Sequence, residues 1–365
     1  MSREVVIMDS ALVCAAGNLD QCWQELMAGG SALTALRMEG LNCQVGRIAA
    51  LGNELGTGRR LATLLDLGLS HFRGAWCRDR LHLVVATTKG AADEPLSDFR
   101  IPGRGFAWQV AEMIAHRLDA VLPCSTVSAA CASGTVALIQ ASQMIAADQA
   151  DQVLVVGVDI LSRFVLAGFS QLQALAHGPC RPFDKTRDGL CLGEGIGLML
   201  LAAQETVPRH RRADRATIRG WGLACDAGHI TAPCRRASGL TAALRQATRN
   251  GAEAVGAINA HGTGTLYNDT MEIRALRNMW GEMPPPLHGV KGAMGHCLGA
   301  AGVMEACLAV KALEAGQIPP TVGLRIAEAF PGHLSNRPQQ LLSPTLLTCN
   351  SGFGGINAAL MLGMN

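Results

Sequence analysis

Tyrosine is nearly missing from this chain of 365 residues: there is one, and aromatic residues of all kinds make up 4%. Charge is scarce too, at 16% of residues, while 49% are hydrophobic. A chain that stays unfolded in water needs the opposite balance, so intrinsic disorder is excluded for the bulk of the sequence and a large core is available. Neither sign of charge dominates: 31 Lys and Arg stand against 29 Asp and Glu, a net charge of +2. The basic excess that draws a polyanion is therefore absent, no nucleic-acid partner is expected, and the single basic cluster, Arg209-His210-Arg211-Arg212 with Arg215, is short. No stretch approaches the ~18 to 20 uninterrupted apolar residues of a membrane-spanning helix. The opening Val5-Val6-Ile7-Met8-Asp9 is too short for a secretory segment and reads as a first strand. The expectation is a soluble, cytoplasmic protein with no membrane partner. Thirteen cysteines are an odd number with no C-x-x-C pair, which fits neither a disulfide framework nor a zinc ribbon. Most are expected to be small buried hydrophobes, with one left as a candidate nucleophile. No low-complexity tract or short-period repeat is present, which excludes solenoids and propellers.

What the chain does have is a recurrence of short apolar runs separated by helical stretches. Leu81 to Ala86, Val153 to Val158 and Ile196 to Leu201 read as fully buried strands. Thr135 to Ala147 reads as a helix apolar nearly all round, and Ala301 to Ala315 as a second, with Gly316 as its cap. The fold class is α/β. At roughly 100 to 200 residues per domain, the length suggests two domains or one large two-part fold. The one clear composition shift, Pro208 to Arg215, places the boundary between residues 1–207 and 208–365, with strand-like sequence resuming at Thr217.

Three runs carry candidate chemistry. In Ser128-Ala129-Ala130-Cys131-Ala132-Ser133-Gly134 a cysteine sits among small residues just ahead of a buried helix. Helix N-terminal N–H groups and the macrodipole favour thiolate there, and small neighbours leave room for a thioester, so Cys131 is the nucleophile candidate. At Asn259-Ala260-His261-Gly262-Thr263-Gly264-Thr265 an apolar strand runs into a Gly/Thr-rich loop with a histidine at the junction, where backbone can approach a ligand closely. His296 follows the same design, on a turn between Gly295 and Gly299, five residues after Lys291. Zinc is the rival use of one cysteine and two histidines, but further ligands at short spacing are missing and Lys291 is an unhelpful neighbour. No metal is expected. Gly193-Glu194-Gly195-Ile196-Gly197 lacks the last glycine of a dinucleotide fingerprint and precedes a strand, so it is read as a tight turn.

Taken together, these residues resemble a known family: the condensing β-ketoacyl-acyl carrier protein synthases of the thiolase superfamily, most closely the elongating type with a Cys-His-His active site. The resemblance is carried by the Cys131 run and by Cys180-Arg181-Pro182-Phe183-Asp184 continuing to Gly193-Glu194-Gly195. It continues through Asp226 to Pro233, through His261 to Thr265 with Asn268, Asp269 and Glu272, and through Lys291 with His296, Gly299 to Gly302 and Glu305. Asn350-Ser351-Gly352-Phe353-Gly354-Gly355 with Asn357 completes it. A degradative thiolase would carry a second active cysteine where this chain has Phe353.

The resemblance implies a thiolase-like fold of two similar α/β halves in a layered αβαβα arrangement, residues 1–207 carrying the nucleophile and 208–365 the two histidines. It implies that Cys131 takes an acyl group from a carrier thioester, with the N–H groups of Cys131 and Phe353 as oxyanion hole. A malonyl-acyl carrier protein then loses CO2, and its enolate, held by His261 and His296, attacks the acyl-Cys. Lys291, paired with Glu305, fixes the polar network; Thr263 and Thr265 suit the phosphopantetheine amides; Phe353 gates. Lys291, Glu305, Asp269 and Glu272 either support the site in this way or only satisfy one another in the interior. No cofactor is permanently bound, since the phosphopantetheine arm arrives with acyl carrier protein. A homodimer, or a heterodimer with a related ketosynthase subunit, is implied. Arg209, Arg211, Arg212, Arg235 and Arg236 are either contacts for an acidic carrier or solvated surface. The stretches from Arg59 to Pro123 and from Leu175 to Arg181 look shorter than in the usual elongating enzyme, which leaves chain length open and fits an accessory ketosynthase of an aryl-polyene-like pathway. The alternative reading is a non-condensing, chain-length-factor-like partner subunit.

Overall fold

The computed structural model describes residues 3–38, 40–74, 76, 80–93, 105–119, 123–208, 212, 215–248, 255–330 and 332–364. Ten strands form one hydrogen-bonded path. The first five are β1 (Val5–Cys14), β2 (Leu81–Ala86), β3 (Cys124–Val127), β4 (Gln152–Asp159) and β5 (Gly195–Ala203). The second five are β6 (Thr217–Cys225), β7 (Ala257–Asn259), β8 (Leu287–His288), β9 (Thr345–Gly352) and β10 (Ile356–Gly363). Six helices matter for the site: α1 (Gly58–His71), α2 (Ala107–Arg117), α3 (Ser133–Ala146), α4 (Ser238–Ala247), α5 (Leu266–Trp280) and α6 (Ala301–Ala315).

The two sets repeat one topology. The first runs β3-β2-β4-β5-β1 and the second β8-β7-β9-β10-β6. In each, the first two pairings are parallel and the next two antiparallel. They meet edge to edge at β1 and β6 over just two residue pairs, Val5 with Ile218 and Val6 with Thr217.

Side-chain alternation explains why these strands read as unbroken apolar runs. Successive residues point to opposite faces, and both faces are covered. On β4, Val153 and Val155 enter a central core while Leu154, Val156 and Val158 enter an outer one. On β10, Ala358, Leu360 and Leu362 face the centre, and Ala359 and Met361 the outside. The central core holds α3 and α6, which pack on each other and on strands of both halves. Outside the first half lie α1 and α2, and outside the second α4 and α5. This is the layered αβαβα order.

Both buried helices come close to their expected spans, and Gly316 caps α6 at φ +65°. The run Gly193 to Gly197 differs from its reading as a tight turn. It is extended, with Leu192–Gly193 paired to Leu41–Gly46 and β5 starting at Gly195. Between them Glu194 is fully buried, pairs with Arg60, and accepts from the amides of Ile48 and Leu161. A buried carboxylate with that many donors holds the chain extended.

Candidate active site

Cys131 stands at the head of α3, just after Ala130, whose φ of +49° lies in the left-handed region that non-glycine residues seldom occupy. The Ser133 hydroxyl holds that turn, accepting from the amide of Ala129 at 2.8 Å and donating to the carbonyl of Ala130 at 2.6 Å. The thiol departs from its sequence expectation. Burial pushes it up to about 12, outweighing the nearby ammonium groups of Lys291 and Lys89. A helix N-terminus favours thiolate by a local, modest interaction, whereas desolvation sums over every packed neighbour. In the empty site Cys131 is a neutral thiol.

His261 follows β7 and His296 follows β8, and their rings meet edge to face with centroids 5.1 Å apart and planes at 88°. Both are buried. Burial first, then the charge of Lys291, holds both imidazoles well below their ordinary range, so they are neutral. The amide of Asn350 fixes the tautomer of His261. Its oxygen accepts from Thr135 and its Nδ2 donates to Glu305 Oε2 at 2.8 Å, which orients the amide. The same Nδ2 lies 3.2 Å from His261 Nδ1, which therefore accepts and leaves the ring proton on Nε2. His296 has no hydrogen-bond partner at either ring nitrogen among the described residues.

Cys131, His261 and His296 line one cavity of about 350 Å³. Thr263 and Thr265 line it as well, their hydroxyls 2.9 Å apart, and Leu172, Leu266 and Tyr267 are its exposed members and form the mouth. Phe353 lines it and stacks on Phe169, with centroids 5.5 Å apart. Gly352 runs against the nucleophile loop so closely that a Cβ there would lie 3.2 Å from Cys131 N and 3.0 Å from the carbonyl of Ala129.

Lys291, Glu305, Asp269 and Glu272 do not line the cavity. They are buried behind it. Lys291 Nζ donates to Glu305 Oε1 and to the carbonyl of His261, both at 2.5 Å. Glu272 accepts from the amides of His261 and Gly262 at 2.7 Å, and Asp269 from those of Thr263 at 3.1 Å, Gly264 at 3.2 Å and Phe183 at 2.8 Å. The two carboxylates thus grip successive amides of the histidine loop. Burial, with the neighbouring Asp269, pushes Glu272 up to about 8.

Arg235 and Arg236 are exposed and outside the cavity lining, and Arg212 donates to the carbonyls of Val207 and Glu205. Arg209 and Arg211 lie outside the described residues. A second cavity of about 430 Å³ borders β1 and the end of α6 and shares no residue with the first. Much of its polar lining is already engaged: Lys311 with Asp20 at 2.7 Å, Asp9 with the amides of Ser10 and Arg73, and Arg215 with the carbonyl of Met8.

Residues 58–206 match the family model described as β-ketoacyl synthase, N-terminal domain, and residues 215–325 match β-ketoacyl synthase, C-terminal domain. The chain belongs to the β-ketoacyl synthase family. It is 28% identical over 407 residues to the 3-oxoacyl-[acyl-carrier-protein] synthase 2 of Coxiella burnetii, covering 99% of this chain and 98% of that protein. Among solved structures it is similar to the ishigamide ketosynthase/chain length factor, with a TM-score of 0.87, 28% identity and the whole of both chains covered. It is also similar to the ketosynthase ApeO in complex with its chain length factor ApeC from Xenorhabdus doucetiae. There the TM-score is 0.83 and identity 26%, over all of this chain and 98% of that one. For a chain of this family, the residues that sequence reasoning left without a role are Asn350, Phe169 and the buried pair Asp159 and Lys89. Asn350 was visible only as the start of a glycine-rich run, and the other three carry no local signal.

Proposed function

We propose that this β-ketoacyl synthase family member catalyses decarboxylative Claisen condensation between an acyl group on Cys131 and malonyl-acyl carrier protein. The observation that carries the reading is the convergence of one thiol and two neutral, edge-to-face imidazoles on a single cavity that reaches solvent. An acyl-carrier protein delivers its chain on the phosphopantetheine arm, which runs past Thr263 and Thr265. The Cys131 sulfur attacks the thioester carbonyl, the carrier sulfur leaves with the thiol proton, and an acyl-Cys131 remains. The N–H groups of Cys131 and Phe353 hold the tetrahedral oxyanion. Malonyl-carrier protein then enters and loses CO2 as its carboxylate C–C bond breaks. The electron pair is held as an enolate whose oxygen accepts hydrogen bonds from His261 and His296.

Neutral donors suit this step. An imidazolium would quench the carbanion by proton transfer, while an Nε2–H lowers the energy of the oxyanion without giving up its proton. The enolate carbon attacks the acyl-Cys131 carbonyl, a C–C bond forms, the C–S bond breaks, and the thiolate takes a proton from solvent. The product is a 3-oxoacyl-carrier protein two carbons longer. Likeness to ketosynthase/chain length factor pairs favours a heterodimer with a related subunit and, as a second reading, a non-condensing role for this chain. Intact-mass measurement after incubation with an acyl-carrier protein separates them. The expected result is one acyl adduct on Cys131, lost in Cys131→Ala together with condensation. No adduct from carriers of any acyl length, alone or with a partner subunit, favours the non-condensing reading.

A further inference from the structure

Asp159 ends β4 and is buried, yet nothing in the proposed reaction uses it. Its carboxylate accepts from five groups on two active-site segments. From the loop after β2 come the hydroxyl of Thr87 at 3.0 Å, the amide and hydroxyl of Thr88 at 3.1 and 2.9 Å, and Lys89 Nζ at 3.2 Å. From the turn that carries His296 comes the amide of Gly299 at 2.7 Å. The loop after β2 in turn touches the nucleophile segment, because Ser128 Oγ donates to the carbonyl of Thr88 at 3.3 Å.

We propose that Asp159 and Lys89 form a positioning pair for Cys131. The carboxylate locks the Thr87–Lys89 loop to the His296 turn, and the ammonium it holds sets the electrostatic potential at the sulfur. The inference rests on the reading of Cys131 as the acyl-accepting thiol. The charged and titratable groups around that sulfur are Lys291, Asp159 and Lys89, with His261 and His296 in the same cavity. Lys291 is already neutralised by Glu305 and oriented toward the histidine loop. Lys89 is therefore the cation that can be altered without breaking the Lys291 network, and its charge opposes the burial that holds the thiol neutral.

The test is the rate at which iodoacetamide alkylates Cys131 at pH 8, read on the Cys131 peptide by mass spectrometry so that the other cysteines do not contribute. Below the thiol's titration range this rate follows the thiolate fraction. Lys89→Met is expected to slow alkylation about ten-fold, the effect of one unit charge removed at short range in a partly desolvated site. Lys89→Arg should stay within about two-fold of the parent, and Lys89→Met with Asp159→Asn should return to within about three-fold. A loosened site would expose the sulfur and speed the reaction, so misfolding does not imitate the slowing. An unchanged rate in Lys89→Met, an equal loss in Lys89→Arg, or no recovery in the double variant overturns the proposal. The measurement needs no carrier protein, so failure of acyl transfer in the parent chain would count against the reaction and not against the pair.

Discussion

His288 ends β8 with both ring nitrogens buried and without a hydrogen-bond partner among the described residues, and burial pushes it down to about 3. The unfolded chain takes up that proton near 6.5, while the folded chain refuses it until about 3. Stability tied to this residue is therefore complete above pH 6.5 and is lost as pH falls toward 3. At about 1.4 kcal/mol per pH unit, the parent protein should lose about 2 kcal/mol more than His288→Leu between pH 7 and pH 5. Urea denaturation at the two pH values reads the difference, and equal losses would remove His288 from the acid sensitivity. The active-site residues differ in how far they could be read from the chain. Cys131, His261 and His296 were legible because each sits among small residues or glycines that mark close approach. Their settings were not. The tautomer of His261 depends on Asn350, 89 positions away, and the charge state of Cys131 depends on packing contributed by several segments.

At the scale of elements, α3 and α6 cross where neither can carry a side chain. A Cβ on Gly302 would lie 2.3 Å from Thr135 N, and one on Gly134 would lie 2.7 Å from Val303 N. Backbone atoms cannot yield as a flexible side chain does, so Gly302→Ala must push the helices apart. The expected cost is about 1 to 3 kcal/mol of stability. Because Cys131 heads α3 and His296 precedes α6, malonyl decarboxylation and acyl transfer should fall together, by ten-fold or more. A variant that loses the stability but keeps both rates would show that the crossing does not set the site. Strands and buried helices were legible from apolar runs and their lengths, since a strand covered on both faces has no polar side. The extended Gly193–Gly195 segment was not, because what straightens it is a buried carboxylate whose partners Arg60, Ile48 and Leu161 are remote in sequence.

Across the whole molecule, the two five-strand sets share only two backbone residue pairs at their common edge, yet they share the central core. Val84, Val155 and Leu201 of the first set and Leu346, Leu360 and Leu362 of the second close on the same two helices. Exposing one half would uncover that layer for the other, so unfolding should be a single cooperative transition by calorimetry, with calorimetric and van't Hoff enthalpies equal. Two resolved transitions would mean that each half keeps a core of its own.

The shared topology also says where the reaction's asymmetry comes from. Cys131 lies between β3 and α3, and His296 between β8 and α6, which is the same address in each repeat. An approximate dyad brings the two copies of that address to one point, so the chain ends up with one reaction centre instead of a mirrored pair. Each copy was then free to specialise, one as the atom that carries the growing chain and the other as the group that steadies the incoming carbanion.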